Sequence, residues 1–149
     1  MSTIAQHPRA KLDYDISKTY EAGLVLSGPE VKSVRNGDVS LKGAYATLKA
    51  GELWLLNAHI GPYKKAGGLV NYEPTKSRKL LLHKRELAEL IGALHTQHLT
   101  LVPISIYTRG RRIKVEIGLA RGRKKYEKRE ILKKRTIQKE IRQTLRQKV

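Results

Sequence analysis

The chain has 149 residues, 31 Lys or Arg against 13 Asp or Glu, and a formal net charge of +18 at pH 7. It contains no cysteine, which excludes disulfides, thiolate metal sites and cysteine nucleophiles. No apolar run approaches the roughly 20 residues of a membrane span, and the opening MSTIAQHPRAKLDYD lacks the hydrophobic stretch of a secretory signal, so a soluble, cytoplasmic protein with no membrane partner is expected.

One domain with a modest core and a spare arm suits this length. After a polar arm to about Lys11, residues 20–26 (YEAGLVL) are β-prone and stopped by Ser27, Gly28 and Pro29, which predicts a strand. Proline suits a first helical turn, so residues 29–36 (PEVKSVRN) are expected to form a short helix ended by Gly37, with Val31 and Val34 facing inward. Residues 44–49 and 52–57 are β-prone runs joined by Ala50-Gly51, a hairpin by its turn chemistry. Two prolines and three glycines mark residues 61–77 as a long loop.

Leu87, Leu90, Ile91 and Leu94 recur at helical spacing within residues 83–98, predicting an amphipathic helix over one mouth of a sheet or barrel. Residues 99–107 and 112–119 read as strands around a charged turn at 108–111. In KVEIGL, Val115, Ile117 and Leu119 alternate with Lys114, Glu116 and Gly118, so one face is buried and the other meets solvent or a ligand. Five or six short strands and two helices fit a mainly β body over residues 1–120, a small closed antiparallel barrel of the oligonucleotide-binding type.

Residues 121–149 carry 13 Lys or Arg against 3 Glu, or +10 of the total charge. Such a tail is attracted to polyanions, because neutralising phosphates releases counterions, and nucleic acid leads the partner classes. Ile137, Ile141 and Leu145 make a stripe too thin to bury a core, and no proline or glycine follows Gly122. The tail is therefore expected to be disordered when free and helical on RNA, hinged at Gly122.

Catalytic signals are missing from the pattern. His7, His59, His83, His95 and His98 lack ligand spacing, and Gly67-Gly68 has no phosphate-cradle motif around it, so no enzyme, metal or cofactor is expected. Arg78, Lys79, Lys84 and Arg85 bracket Leu80, Leu81 and Leu82, either as solvated flanks of a core strand or as an RNA-facing patch. Glu21 is either an ordinary strand residue or an acceptor for nucleobase amino groups and ribose hydroxyls. Trp54 and most tyrosines are expected in the core or half-buried in the sheet, whereas Tyr126 sits amid Lys and Arg.

Four blocks, YEAGLVLSGPEVKSVRNG (20–37), GELWLLNAHIGPY (51–63), RKLLLHKREL (78–87) and KVEIGLARGRKKYEKRE (114–130), together resemble the SsrA-binding protein, or small protein B, family of bacteria. The resemblance implies an oligonucleotide-binding barrel that grips the tRNA-like domain of transfer-messenger RNA in trans-translation. It further implies delivery of the charged RNA, with elongation factor Tu and GTP, to stalled ribosomes by a monomer whose tail folds in the empty messenger channel. By motif, Glu21, Leu81 and Lys114 resemble the RNA-gripping positions, with Lys32 and Arg35 as phosphate contacts. Gly122, Arg123, Lys124, Tyr126, Lys128 and Arg129 resemble the decoding-centre segment, followed by Lys133, Lys134 and Arg135 along the channel. The chain departs from the family's common NRKARHDYEI at HPRAKLDYDI (7–16), and its tail is more basic than the frequent DIKERE. The competing class is an architectural ribosomal protein, permanently embedded in ribosomal RNA.

Overall fold

The computed structural model describes residues 2–64 and 71–147. In chain order the elements are β1 (Ser2–Gln6), α1 (Ala10–Asp13), β2 (Tyr14–Leu24), α2 (Gly28–Arg35), β3 (Val39–Ser40), β4 (Tyr45–Lys49), β5 (Glu52–Leu56), β6 (His59–Ile60), β7 (Arg78–Leu81), α3 (Lys84–Gln97), β8 (Thr100–Arg109), β9 (Arg112–Gly122) and α4 (Lys125–Gln147). Seven strands form one antiparallel sheet in the order β1-β8-β9-β2-β7-β5-β4, and β3 pairs with β6 in a small second sheet.

The sheet curls until β4 lies beside β8, but no ladder joins them among the described residues. The expected closed barrel of about six strands is thus corrected to an open, curled sheet of seven. The cause is β1, hidden in what reads as a polar arm. It pairs with β8 from Ser2↔Thr108 to Gln6↔Ser105, and the His7 N–H continues the edge by donating to the Ile104 carbonyl at 2.8 Å. That edge of β8 is occupied, so β4 has no donors or acceptors to meet there.

Alternation builds the core as the β9 pattern predicts. Val115 and Ile117 are fully buried, and Leu119 nearly so, with Ala22, Leu53, Leu55, Leu80 and Ile106 from neighbouring strands. Leu90 of α3 is buried in this core while Ile91 stays 39% exposed, so the helix covers the sheet by a narrower stripe than its four periodic residues suggest. The Ala50-Gly51 turn has both φ values positive, as a two-residue hairpin requires.

The outer face of β9 is roofed at one end. There Ala10 of α1 packs with Val102, Ile104 and Ala120, flanked by Tyr14 and Ile16, in a second small apolar cluster. A β-carbon at Gly118 would meet Ile104 Cδ1 at 3.0 Å and Ile16 Cγ2 at 3.1 Å, so glycine lets this roof approach the sheet.

At the opposite end, α2 begins with a reciprocal capping box. Ser27 Oγ accepts from the Glu30 N–H at 3.4 Å and Glu30 Oε1 accepts from the Ser27 N–H at 3.0 Å. Glu30 is also the buried partner of Arg78, whose Nε donates to it at 2.6 Å. The rest of the guanidinium donates to the Ala58 and Pro74 carbonyls at 2.8 and 2.9 Å and to the Tyr72 hydroxyl at 3.2 Å. Arg78 therefore ties the loop after β6 to α2 and is withdrawn from any RNA-facing patch. Residues 65–70, with Gly67-Gly68, lie outside the described residues.

The tail, expected to be disordered when free, is the continuous helix α4 here, about 34 Å long by helical rise. Its first turns lie against α1, but Leu132, Ile137, Ile141 and Leu145 remain 46–61% exposed.

Candidate RNA interface

Register brings together Glu21, Leu81 and Lys114, the three residues expected to grip RNA. Gly23 on β2 faces Leu81 of β7 on one side and Lys114 of β9 on the other, so Leu81, Gly23 and Lys114 form one row across three strands. Glu21 lies two residues before Gly23 and shares its face. The bare glycine leaves the floor of the row open: a β-carbon there would stand 3.7 Å from Leu81 Cβ and 3.9 Å from Lys114 Nζ. The result is a groove of roughly 640 Å³ bordered by Glu21, Leu81, Lys114, Arg109, Arg112 and His83. Leu81 is 51% exposed, an apolar side chain set out in solvent beside cations.

Glu21 is held as an anion. Its carboxylate accepts from the Tyr107 hydroxyl at 2.5 Å and from Arg109 Nη1 at 2.8 Å. The Tyr107 bond first, then Arg109 and the charge of Lys114, keep its carboxyl below the ordinary value against partial burial. Burial and the Glu21 anion push the Tyr107 phenol far up, so it acts as a neutral donor. Glu116, directly across the ladder from Glu21, adds a second carboxylate and accepts from the Ser105 hydroxyl at 3.3 Å. In a chain so basic, two adjacent carboxylates on an exposed face are acceptors suited to base amino groups or ribose hydroxyls rather than phosphates.

Lys32 and Arg35 do not line this groove. Lys32 Nζ stands 5.3 Å from the Tyr63 ring centre, and Arg35 Nη2 donates to the Arg111 carbonyl at 2.7 Å. Arg35 thereby props the β8–β9 turn, whose Arg109 and Arg112 reach the groove rim.

The tail residues divide at the root of α4. Gly122 is the last residue of β9, paired with Tyr14, so it sits inside the sheet rather than at a loose joint. The Arg123 N–H donates to the Asp13 carbonyl at 2.7 Å and its Nε to the Lys11 carbonyl at 3.3 Å. Lys128 Nζ pairs with Asp13 Oδ1 at 3.2 Å, and Arg9 takes the other oxygen of the same carboxylate at 3.2 Å. Arg121 bridges Asp15 and Glu127 at 3.5 and 3.4 Å. Lys124 precedes the helix, and Arg129, Lys133, Lys134 and Arg135 are exposed along it. Tyr126 is 60% exposed and lies eleven residues, about three turns, before Ile137, so the ring and the apolar stripe share a face.

Sequence reasoning does not single out Tyr107, Arg109 or Asp13. The charged turn at 108–111 is a signal for Arg109; Tyr107 and Asp13 gain their roles from partners 86 and about 110 residues away, which no local pattern carries. Among the described residues, no three His, Asp or Glu gather as a metal site, and no helix is long and apolar enough to cross a membrane.

Residues 4–147 match the family model described as SmpB protein. An SsrA-binding protein of Roseiflexus sp. (strain RS-1) is 48% identical over 144 residues, covering 97% of this chain and 91% of the relative. One of Geobacillus kaustophilus (strain HTA426) is 50% identical, covering 97% and 92%. A solved chain from "tmRNA-SmpB: a journey to the center of the bacterial ribosome" is 50% identical with a TM-score of 0.64, covering 80% of this chain and 84% of that one. With a family model matched over residues 4–147 and relatives about half identical over nearly the whole chain, the chain belongs to the SmpB protein family.

Proposed function

We propose that this chain binds transfer-messenger RNA and accompanies it to the ribosome in trans-translation. The observation that carries the reading is the row Leu81, Gly23, Lys114 with Glu21 beside it, an exposed leucine, a cation and a fixed anion on one sheet face. Such a set recognises an irregular RNA surface: Lys114 meets a phosphate, Glu21 accepts from a base or ribose, and Leu81 covers an unstacked base. The tRNA-like domain is the part of the RNA that fits this face, and Lys32 and Arg35 add phosphate contacts from the side. The RNA, once charged, brings elongation factor Tu and GTP, and the protein acts as a monomer in the cytoplasm without catalysing a reaction.

The tail has a separate task. Gly122, Arg123 and Lys124 lead it from the body, Tyr126 stacks at the decoding centre with Lys128 and Arg129 beside it, and Lys133, Lys134 and Arg135 run along the vacant messenger channel. With so little of α4 buried, its helix depends on propensity and on counter-charge, so the free tail is a fraying helix that ribosomal RNA completes.

A cut after Lys124 tests this division. Expected are near-normal affinity for transfer-messenger RNA and loss of peptide tagging on stalled ribosomes. Equal loss of both contradicts it. Salt-resistant, stoichiometric retention on ribosomes without that RNA favours an architectural ribosomal protein instead.

A further inference from the structure

Trp54 is the chain's one tryptophan, and it packs against neither apolar cluster. It stands half-buried on the outer face of β5, opposite Thr47 of β4 and Lys79 of β7. A groove of roughly 390 Å³ runs beside it, bordered by Leu56, Thr47, Lys49, Glu52 and Ser77. Tyr45, 53% exposed, faces Leu56 across the hairpin and adds a second ring nearby. Folding alone does not explain an indole turned away from the core in a chain with no phenylalanine and few other rings.

Two observations indicate what covers it. The first is continuity: Lys79 faces Trp54, and Leu81, two residues and roughly 7 Å further along β7, begins the row through Gly23 to Lys114. Trp54 therefore extends the same outer face as the RNA groove without a break between strands. The second is charge: Lys49 and Lys79 flank the indole, and Glu52, the carboxylate of this groove, is paired with Lys79 at 3.2 Å. A ring with lysines on neighbouring positions of its face can hold an unpaired base by stacking and its phosphates by charge.

We propose that the β4–β5 hairpin is a second RNA contact, where Trp54 stacks on an unpaired nucleotide of the same RNA that occupies the Glu21–Lys114 groove, with Lys79 and Lys49 on the flanking phosphates. This rests on the RNA-binding reading above and adds a site to it.

The lone tryptophan supplies its own probe. Full-length protein is titrated with the tRNA-like domain of transfer-messenger RNA, while labelled RNA reports affinity independently. Binding is expected to quench Trp54 emission and shield it from acrylamide. Trp54→Leu should weaken binding about ten-fold, and Trp54→Tyr, which keeps a ring, should recover most of it. RNA that binds while emission and acrylamide access stay unchanged overturns the proposal and leaves the groove intact as the RNA site. RNA that does not bind at all removes both readings. A dimer seen by sedimentation and abolished by Trp54→Leu assigns the face to a second copy and also overturns it. The emission of the unmutated protein decides the matter even where a variant folds poorly.

Discussion

Lys114 and Glu21 sit on one face, yet they do different work. In the proposed complex Lys114 supplies a charge to a phosphate, whereas Glu21 is oriented by Tyr107 and Arg109 before any ligand arrives. Lys114→Ala or Glu21→Ala should each weaken binding to transfer-messenger RNA by about 1–3 kcal/mol, measured by anisotropy of labelled RNA, with the melting temperature nearly unchanged. Arg78 and Glu30 make the contrast. Burial by itself raises the Glu30 carboxyl, but hydrogen bonds from Ser27 and Arg78 more than offset it and leave the group below its ordinary 4.5. Its stabilisation is present above that ordinary value and is lost as pH falls through the lower folded value, so acid unfolding should begin below about pH 4.5. Glu30→Gln strands the Arg78 charge in the core and should cost about 3–5 kcal/mol in urea unfolding, while a surviving fold still binds RNA.

At the scale of elements, α1 is only four residues long, yet it holds the root of a 23-residue helix. Asp13 accepts the Arg123 amide through its carbonyl and gathers Arg9 and Lys128 on its carboxylate. Asp13→Ala should leave RNA affinity within about two-fold, as a surface change far from the groove does, but lower tagging several-fold. A fluorophore pair on the body and on α4 should then report a broadened distance distribution, and Asp13→Glu should narrow it again. No local pattern makes this device legible. The hairpin around Ala50-Gly51, the helix through Leu90 and the alternation in KVEIGL follow from local chemistry, and the structure has them. STIAQ lacks the bulky apolar run that marks a strand, and AKLD is too short to show a period; both acquire structure only from β8 and α4. Glu21, Leu81 and Lys114 stand out by family resemblance rather than spacing, because their adjacency rests on register at Gly23 between segments far apart in the chain.

Across the whole molecule, charge is split as unevenly as structure is. Residues 125–147 carry nine Lys or Arg on a helix with little burial, whereas the body's carboxylates are already engaged at Glu21, Glu30 and Asp13. Ribosome association should therefore depend on salt more steeply than binding to isolated RNA. Deleting residues 125–149 should flatten the ribosome log–log salt plot by ~0.7–0.9 for each phosphate that the tail no longer neutralises, and leave the plot for the tRNA-like domain nearly unchanged.

The pairing of β1 with β8 and of β2 with β9 also bears on how the chain is made. For roughly the first hundred residues of synthesis, the N-terminal strands have no partner for most of their backbone groups. The hairpin of β4 and β5 and the short α2 are the segments able to form early, because their contacts are local. The β8–β9 hairpin arrives last and supplies partners to both N-terminal strands, and the α4 root then docks on α1. A nascent chain halted before β8 would expose unpaired strand edges and half a core, which marks it for proteolysis rather than leaving a partial RNA binder at large.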